Sequence, residues 1–111
     1  MQFLLLIYED ESRFSKGYNP KELGEYHAFR NDFSQAIKGG NALQPTATAA
    51  TVRVRDGKVL NTDGPFAETK EQLGGFYLVE AADIGEAKKM AAKIPGARFG
   101  SIEVRPIMTF S

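Results

Sequence analysis

The chain has 111 residues, of which 42% are hydrophobic, and its 14 basic and 14 acidic residues cancel. This length predicts a single domain spanning residues 1–111, and the neutral balance argues against direct nucleic-acid binding, which needs surplus Lys and Arg. Because the chain has no cysteine, disulfides, thiolate chemistry and cysteine-based zinc sites are excluded. The apolar run from Phe3 to Tyr8 is too short to span a bilayer and lacks the basic leader of a signal peptide. We therefore expect a cytoplasmic protein without a membrane partner.

The first half of the chain predicts a strand, a helix and a short extended segment. Gln2 to Tyr8 is typical of a strand that is apolar on both faces. Asn19-Pro20-Lys21-Glu22 predicts a helix start, with Asn19 as the cap and Glu22 as the acid of a capping box. The helix should run to about Lys38 and stop at Gly39-Gly40. One apolar stripe of this helix would contain Tyr26, Phe29, Phe33, Ala36 and Ile37.

The second half predicts a hairpin, a strand, a helix and a last strand. Thr51 to Arg55 alternates apolar and polar residues, and Asp56-Gly57 is a strong hairpin signal before the return strand Lys58 to Asn61. Gly74-Gly75 opens a strand that runs to Glu80. Asp83 to Glu86 forms a second capping box, whose helix should end at Pro95-Gly96. The last strand is predicted over Ile102 to Met108, with Pro106 at an edge or a bulge.

This order of elements predicts a ferredoxin-like α+β sandwich, the split βαβ pattern, with an inserted β-hairpin. Its two helices can cover only one face of the sheet. Phe3 to Ile7 and Phe76 to Val79 nevertheless place large apolar side chains on both faces. A bare second face would expose more apolar surface than a soluble monomer usually shows. We therefore predict a homodimer in which the two sheets face each other.

The most specific segment is Asp63-Gly64-Pro65-Phe66, continued as Ala67-Glu68-Thr69-Lys70-Glu71. Asp-Gly-Pro predicts a defined turn, because Gly64 can take a positive φ and Pro65 fixes its own. The segment resembles the signature of the DGPF proteins, a branch of the YCII-related domain family. The likeness covers nearly the whole chain, including Leu4 to Tyr8, Leu43-Gln44-Pro45, Thr51-Val52-Arg53 and Glu103 to Pro106. It implies the dimeric α/β-barrel variant of the ferredoxin-like fold.

The resemblance also carries two expectations about function. A histidine and an aspartate held in common led to the suspicion that the wider family is enzymatic, and His27 matches that histidine in its setting. The usual place of the aspartate, before a proline at the end of the second helix, is held by Ile94. We therefore offer Asp63 as a substitute. DGPF proteins are also associated with alternative sigma factors, which implies the alternative of a non-enzymatic accessory or sensor protein in transcription initiation, with a sigma factor as its partner.

The two candidate catalytic residues each have a plainer alternative. His27 can act as a general base near neutral pH, or it can be an ordinary hydrogen-bonded or exposed helix histidine. Asp63 can orient His27 or bind a substrate, or its carboxylate can serve only the local turn.

Three further residues are candidates for substrate binding. Arg53 can hold a carboxylate or phosphate, or it can lie on the solvent face of the hairpin. Glu68 can line the rim of a pocket or belong to a solvated loop, and Tyr77 can supply a hydroxyl or serve only packing. We expect a small polar or aromatic ligand and acid–base chemistry without a cofactor. No metal is expected, because one histidine with scattered acids lacks any recognisable ligand spacing.

Overall fold

A computed structural model describes residues 1–110 of the chain. In chain order its elements are β1 (Gln2–Glu9), α1 (Pro20–Asp32), β2 (Ile37–Ala42), β3 (Ala50–Arg55), β4 (Lys58–Asp63), β5 (Gln72–Glu80), α2 (Ile84–Ala91) and β6 (Ser101–Pro106). Four strands form an antiparallel sheet in the order β2-β5-β1-β6, while β3 and β4 form a separate sheet. The mixed α+β class with two helices and an inserted hairpin is confirmed. Neither helix has the length and apolar composition needed to cross a membrane.

The core lies on one face of the four-stranded sheet. Along β1 the side chains of Phe3, Leu5 and Ile7 are buried, while the residues between them are only partly buried. Both helices cover the inward face and contribute buried side chains, among them Phe29 from α1 and Met90 from α2. The alternation of β1 therefore sets which of its residues can face a site between the sheet and the helices.

The predicted end of the first helix was wrong. The helix α1 ends at Asp32 rather than near Lys38, and the segment 37–42 instead forms a strand that pairs with β5. Gly40 lies inside this strand, where a Cβ would stand 2.5 Å from the carbonyl oxygen of Phe76 and 2.8 Å from the Tyr77 ring. The glycine thus permits close approach of two strands rather than stopping a helix. The second helix also ends early, at Ala91.

The predicted β-hairpin is present and stands apart from the body of the molecule. Its strands pair from Ala50 with Asp63 to Arg55 with Lys58. Asp56 and Gly57 have φ values of 52° and 75°, which is the conformation of a type I′ turn. Every residue from 52 to 63 is exposed. We call this hairpin, residues 50–63, the arm.

Candidate functional site

A cavity of about 980 Å³ lies between α1, the ends of β1 and β5, and the segment that follows β2. Most of its wall is apolar or aromatic, formed by Ile7, Phe14, Tyr18, Leu23, Tyr26, Ala42, Leu43, Pro45, Phe76 and Tyr77. The cavity opens to solvent where Tyr18, Leu23 and His27 are exposed. A cavity of this size and character is typical of small-molecule sites.

Two buried carboxylates form the polar end of this cavity, and one arginine outside the lining bridges them. Glu9 and Glu22 both line it and are both buried. Arg13 donates from Nη1 to Glu9 and from Nη2 to Oε2 of Glu22, the latter at 2.9 Å. One guanidinium therefore bridges two acids, and buried charges need such pairing. We call Glu9, Arg13 and Glu22 the acid cluster.

The local structure explains how the acid cluster is assembled. Glu9 continues the inward series of β1 by one more step, so it shares a face with Leu5 and Ile7. Glu22 lies in the first turn of α1, but it does not form the predicted capping box. Asn19 accepts from the backbone N–H of Lys21 at 2.8 Å, but Glu22 accepts from Arg13.

Arg13 is held in place by aromatic rings as well as by the two acids. Its guanidinium carbon lies 3.7 Å from the centroid of the Phe99 ring and 5.0 Å from that of Phe14. These are cation–π distances. The guanidinium is thus fixed from several sides before any ligand binds.

Burial controls the protonation of the groups at this end of the cavity. It raises the pKa of Glu9, and the nearby charge of Glu22 raises that pKa further while Arg13 opposes the shift. Burial likewise raises the pKa of Tyr26 well above its usual range, so its hydroxyl stays protonated. The Tyr26 oxygen accepts from the backbone N–H of Gly96 at 3.2 Å. Oε1 of Glu22 is buried and has no hydrogen-bond partner within residues 1–110.

The predicted site residues fall into two groups. His27, on α1, and Tyr77, a buried residue of β5, both line the cavity. Arg53 and Asp63 lie on the exposed arm, Glu68 lies in the exposed loop that follows it, and none of these three lines the cavity. A single chain does not bring Asp63 into the cavity that contains His27, so their pairing stays a prediction.

The acid cluster was not identified from the sequence. Extending the two-residue alternation of β1 past Ile7 would have placed Glu9 on the inward face. Arg13 carries no comparable signal, because it lies in a short turn between β1 and α1. Glu22 lies four and seven residues before Tyr26 and Phe29, so helix periodicity would have placed it on the apolar stripe. Within residues 1–110, no group of three or more His, Cys, Asp or Glu side chains is arranged to hold a metal ion.

The chain is similar in sequence to a known domain family and to a known protein. Residues 1–111 match the YCII-related domain, which confirms the predicted YCII-related resemblance, while the DGPF branch stays a prediction. The chain is 39% identical over 117 residues to an uncharacterised protein of Rhizobium meliloti, with 99% of this chain and 94% of the relative covered.

A solved structure with a similar fold is the 5-chloro-2-hydroxyhydroquinone dehydrochlorinase of Burkholderia phenoliruptrix, in complex with 2,5-dihydroxybenzoquinone. The TM-score is 0.61 at 14% identity, and the match covers 97% of this chain and 94% of that one. At this identity the likeness shows the fold alone. Neither similar protein is described as a partner of a sigma factor, so that alternative gains no support.

Proposed function

The chain belongs to the YCII-related domain family, and on this premise we propose that it binds a small, uncharged, hydroxylated aromatic molecule and shifts its protons without a cofactor. The observation that carries the proposal is the cavity itself. It holds the only histidine of the chain, His27, together with the buried carboxylates Glu9 and Glu22, inside a mainly apolar wall. Titratable groups that converge in an apolar cavity are the usual mark of a small-molecule site.

The ligand class follows from the chemistry of the wall. Aromatic residues such as Phe14, Tyr18 and Tyr26 can pack against a ring. Oε1 of Glu22 has no partner among the described residues, and a buried carboxylate oxygen accepts strongly from a hydroxyl donor. The same carboxylates disfavour an anionic ligand, because like charges in a desolvated site repel. A neutral phenolic compound meets all three conditions, and the dehydrochlorinase of similar fold is named for a hydroxylated ring.

The proposed chemistry is a proton shift between a hydroxyl oxygen and a ring carbon. His27 acts as the base, and an imidazole nitrogen takes the proton that leaves the hydroxyl. The imidazolium of His27 then gives this proton to the ring carbon, which restores the imidazole and leaves the Glu9 carboxylate paired with Arg13. The electron pair of the broken O–H bond stays on the ligand, so no oxidant, reductant or cofactor is needed.

The functional unit that we propose is a homodimer. The strand order β2-β5-β1-β6 supports a ferredoxin-like split βαβ sheet. Leu4, Leu6, Phe76 and Leu78 lie on the sheet face opposite the helices. Face-to-face pairing with a second copy would cover these side chains and produce a dimeric α/β barrel. Asp63 could then act as an acid in the cavity of one copy only if the arm of the other copy places it there.

Calorimetric titration with resorcinol, a neutral diphenol, tests ligand binding. We expect saturable binding that is at least tenfold tighter than binding of 1,3-dimethoxybenzene, which has the same ring but no hydroxyl donor. Glu22→Gln should weaken resorcinol binding by roughly 10- to 100-fold, as expected for a lost charged hydrogen bond. Glu25→Gln is the matched control, since Glu25 lies on the same helix but pairs with Arg98 outside the cavity. Equal effects of the two substitutions, or no saturable binding, would contradict the proposal.

Hydrogen–deuterium exchange at the resorcinol ring carbons tests the proton chemistry. In D₂O the protein should accelerate loss of the ring proton signals, and His27→Gln should remove the acceleration. Because His27 is exposed, this variant should keep its melting temperature within a few degrees of the wild type. Asn31→Ala, an exposed α1 substitution outside the cavity, is the control. Acceleration that persists in His27→Gln would end the assignment of this residue as the base.

A further inference from the structure

We propose that the arm packs one of its faces against a second copy of this chain, so that each subunit of the dimer is clasped by the arm of the other. This inference rests on the dimer of the proposed function but adds a separate interface to it. The arm has strands of six residues, is exposed over residues 52–63 and forms its own two-stranded sheet. An isolated hairpin of this kind is at best marginally stable in water. Its regular pairing therefore points to a partner surface.

The side chains of the arm separate into an apolar and a basic face. Val52 and Val54 lie on the same face as Val59, because Val54 pairs with Val59 and Val52 lies two residues before Val54. These valines are 61%, 60% and 62% exposed. We call this the valine face. Arg53 and Arg55 lie on the opposite face with Lys58 and Leu60. Three cationic side chains keep that face in water, whereas the only charged side chain on the valine face is Asp63 at its base, so the valine face is the one that packs.

The arm is fixed at its base, so it projects in a defined direction. Thr46 donates to the carboxylate of Glu11 from its backbone N–H at 2.7 Å and from Oγ1 at 2.8 Å. The N–H of Gly64 donates to the carbonyl of Ala49 at 2.7 Å. The chain has a radius of gyration of 15.9 Å, whereas a compact domain of this length would have about 13 Å. A single subunit is therefore more extended than a finished globular domain.

The area of the interface favours a second copy of this chain as the occupant. The outward face of the four-stranded sheet measures about 400 Å², so sheet-to-sheet packing alone would bury about 800 Å² in total. This is below the roughly 1,200 Å² at the lower limit of stable interfaces. Each arm presents a face of about 200 Å², and two arms on two partner surfaces would add about 800 Å². The total of about 1,600 Å² is that of a standard stable interface.

The proposed packing would also bring Asp63 of one subunit against the other subunit. Asp63 pairs with Ala50, and Ala50 lies two residues before Val52. The Asp63 side chain is therefore on the valine face. When that face packs, Asp63 of one subunit lies against the other subunit, which is how it can join a cavity that its own chain does not extend to.

Sedimentation velocity over a dilution series tests the arm with a matched pair of variants. The triple variant Val52→Thr, Val54→Thr and Val59→Thr keeps β-branched side chains, so the hairpin itself is preserved. We expect its dimer to dissociate at a concentration at least 100-fold higher than the wild-type dimer, since six side chains change per dimer. The control variant Arg53→Thr, Arg55→Thr and Leu60→Thr changes the other face, and its dissociation constant should stay within threefold of the wild type.

A second measurement uses the unmodified protein, so it does not depend on whether a variant folds. Backbone amides of the arm should be protected from hydrogen exchange at concentrations where the dimer forms, and should lose that protection on dilution.

The outcomes separate this inference from the dimer itself. Three results together would overturn the arm proposal and leave the dimer standing. Leu6→Glu, on the outward sheet face, would break the dimer, whereas the valine variant would dissociate at the same concentration as the wild type. Hydrogen exchange in the arm would not change when the dimer forms. A wild-type protein that sediments as a monomer at micromolar concentration overturns both.

Discussion

Replacing Arg13 with methionine should destabilise the fold, because it leaves two buried acids without their shared cation. Arg13 is the residue that bridges Glu9 and Glu22. Methionine retains an unbranched apolar side chain that can still pack near Phe14 and Phe99, so the substitution removes mainly the charge. It isolates the electrostatic contribution of the acid cluster from its packing.

The expected loss can be worked from the burial of the three side chains. Removing one partner of a buried ion pair costs about 3–5 kcal/mol. The side chains of Glu9 and Glu22 are 6% and 11% exposed, but that of Arg13 is 26% exposed. Water therefore already solvates part of the guanidinium, and we expect about 3 kcal/mol, at the low end of the range. For a domain of this size the melting temperature should fall by about 13 °C.

The pH dependence of this loss gives an independent check. The pKa of Glu9 is raised by burial, and without the opposing charge of Arg13 it should rise further. A carboxyl group whose pKa is higher in the folded state stabilises the fold at low pH and loses that contribution as the pH rises through the folded pKa. The difference between wild type and Arg13→Met should thus be small near pH 4.5, the ordinary pKa of the group, and largest at neutral pH.

Urea unfolding at a series of pH values measures both effects. Arg98→Met is the control, since Arg98 pairs with Glu25 at 2.6 Å but its side chain is 53% exposed. This variant should lose much less stability than Arg13→Met. If Arg13→Met loses less than about 1 kcal/mol at neutral pH, or if its loss does not depend on pH, the acid cluster is not the desolvated ion network described above.

Two further substitutions test the packing and the titration around Glu9. Gly96→Ala places a Cβ against the Glu9 carboxylate and 2.8 Å from the Tyr26 hydroxyl, so urea unfolding should show a loss of about 1–3 kcal/mol; unchanged stability would contradict the close packing. Glu9→Gln removes a group whose pKa burial raises, so the stability of this variant relative to the wild type should increase from pH 4.5 to neutral pH; a decrease measured by the same titration would refute the direction of the shift.

Local sequence patterns were sufficient to predict the elements whose structure depends on nearby residues. The apolar run of β1 and the Asp56-Gly57 turn are of this kind, because a strand and a two-residue hairpin are defined within a few positions. The end of α1 was not predictable in the same way. Gly39 and Gly40 carry a helix-stop signal, but pairing with β5, far along the chain, makes them strand residues.

The residues of the candidate site also differ in whether nearby sequence could identify them. His27 and Tyr77 were selected as individual residues, and both line the cavity. The acid cluster depends on three elements that meet only after folding. Its central residue, Arg13, lies in a short 3-10 turn, Glu11–Phe14, between β1 and α1. Glu22 was interpreted as the acid of a capping box, although it lies seven residues before Phe29 and α1 buries both on one face.

The central claim, that the cavity beside α1 binds a neutral phenol, is tested most directly through His27. Because His27 is the only histidine, the protein has a single set of imidazole proton signals in its NMR spectrum. Titration with resorcinol should move these signals along a saturable curve, while 1,3-dimethoxybenzene at the same concentrations should leave them nearly unchanged. Imidazole signals that stay fixed at saturating resorcinol, or that respond equally to both compounds, would contradict the account.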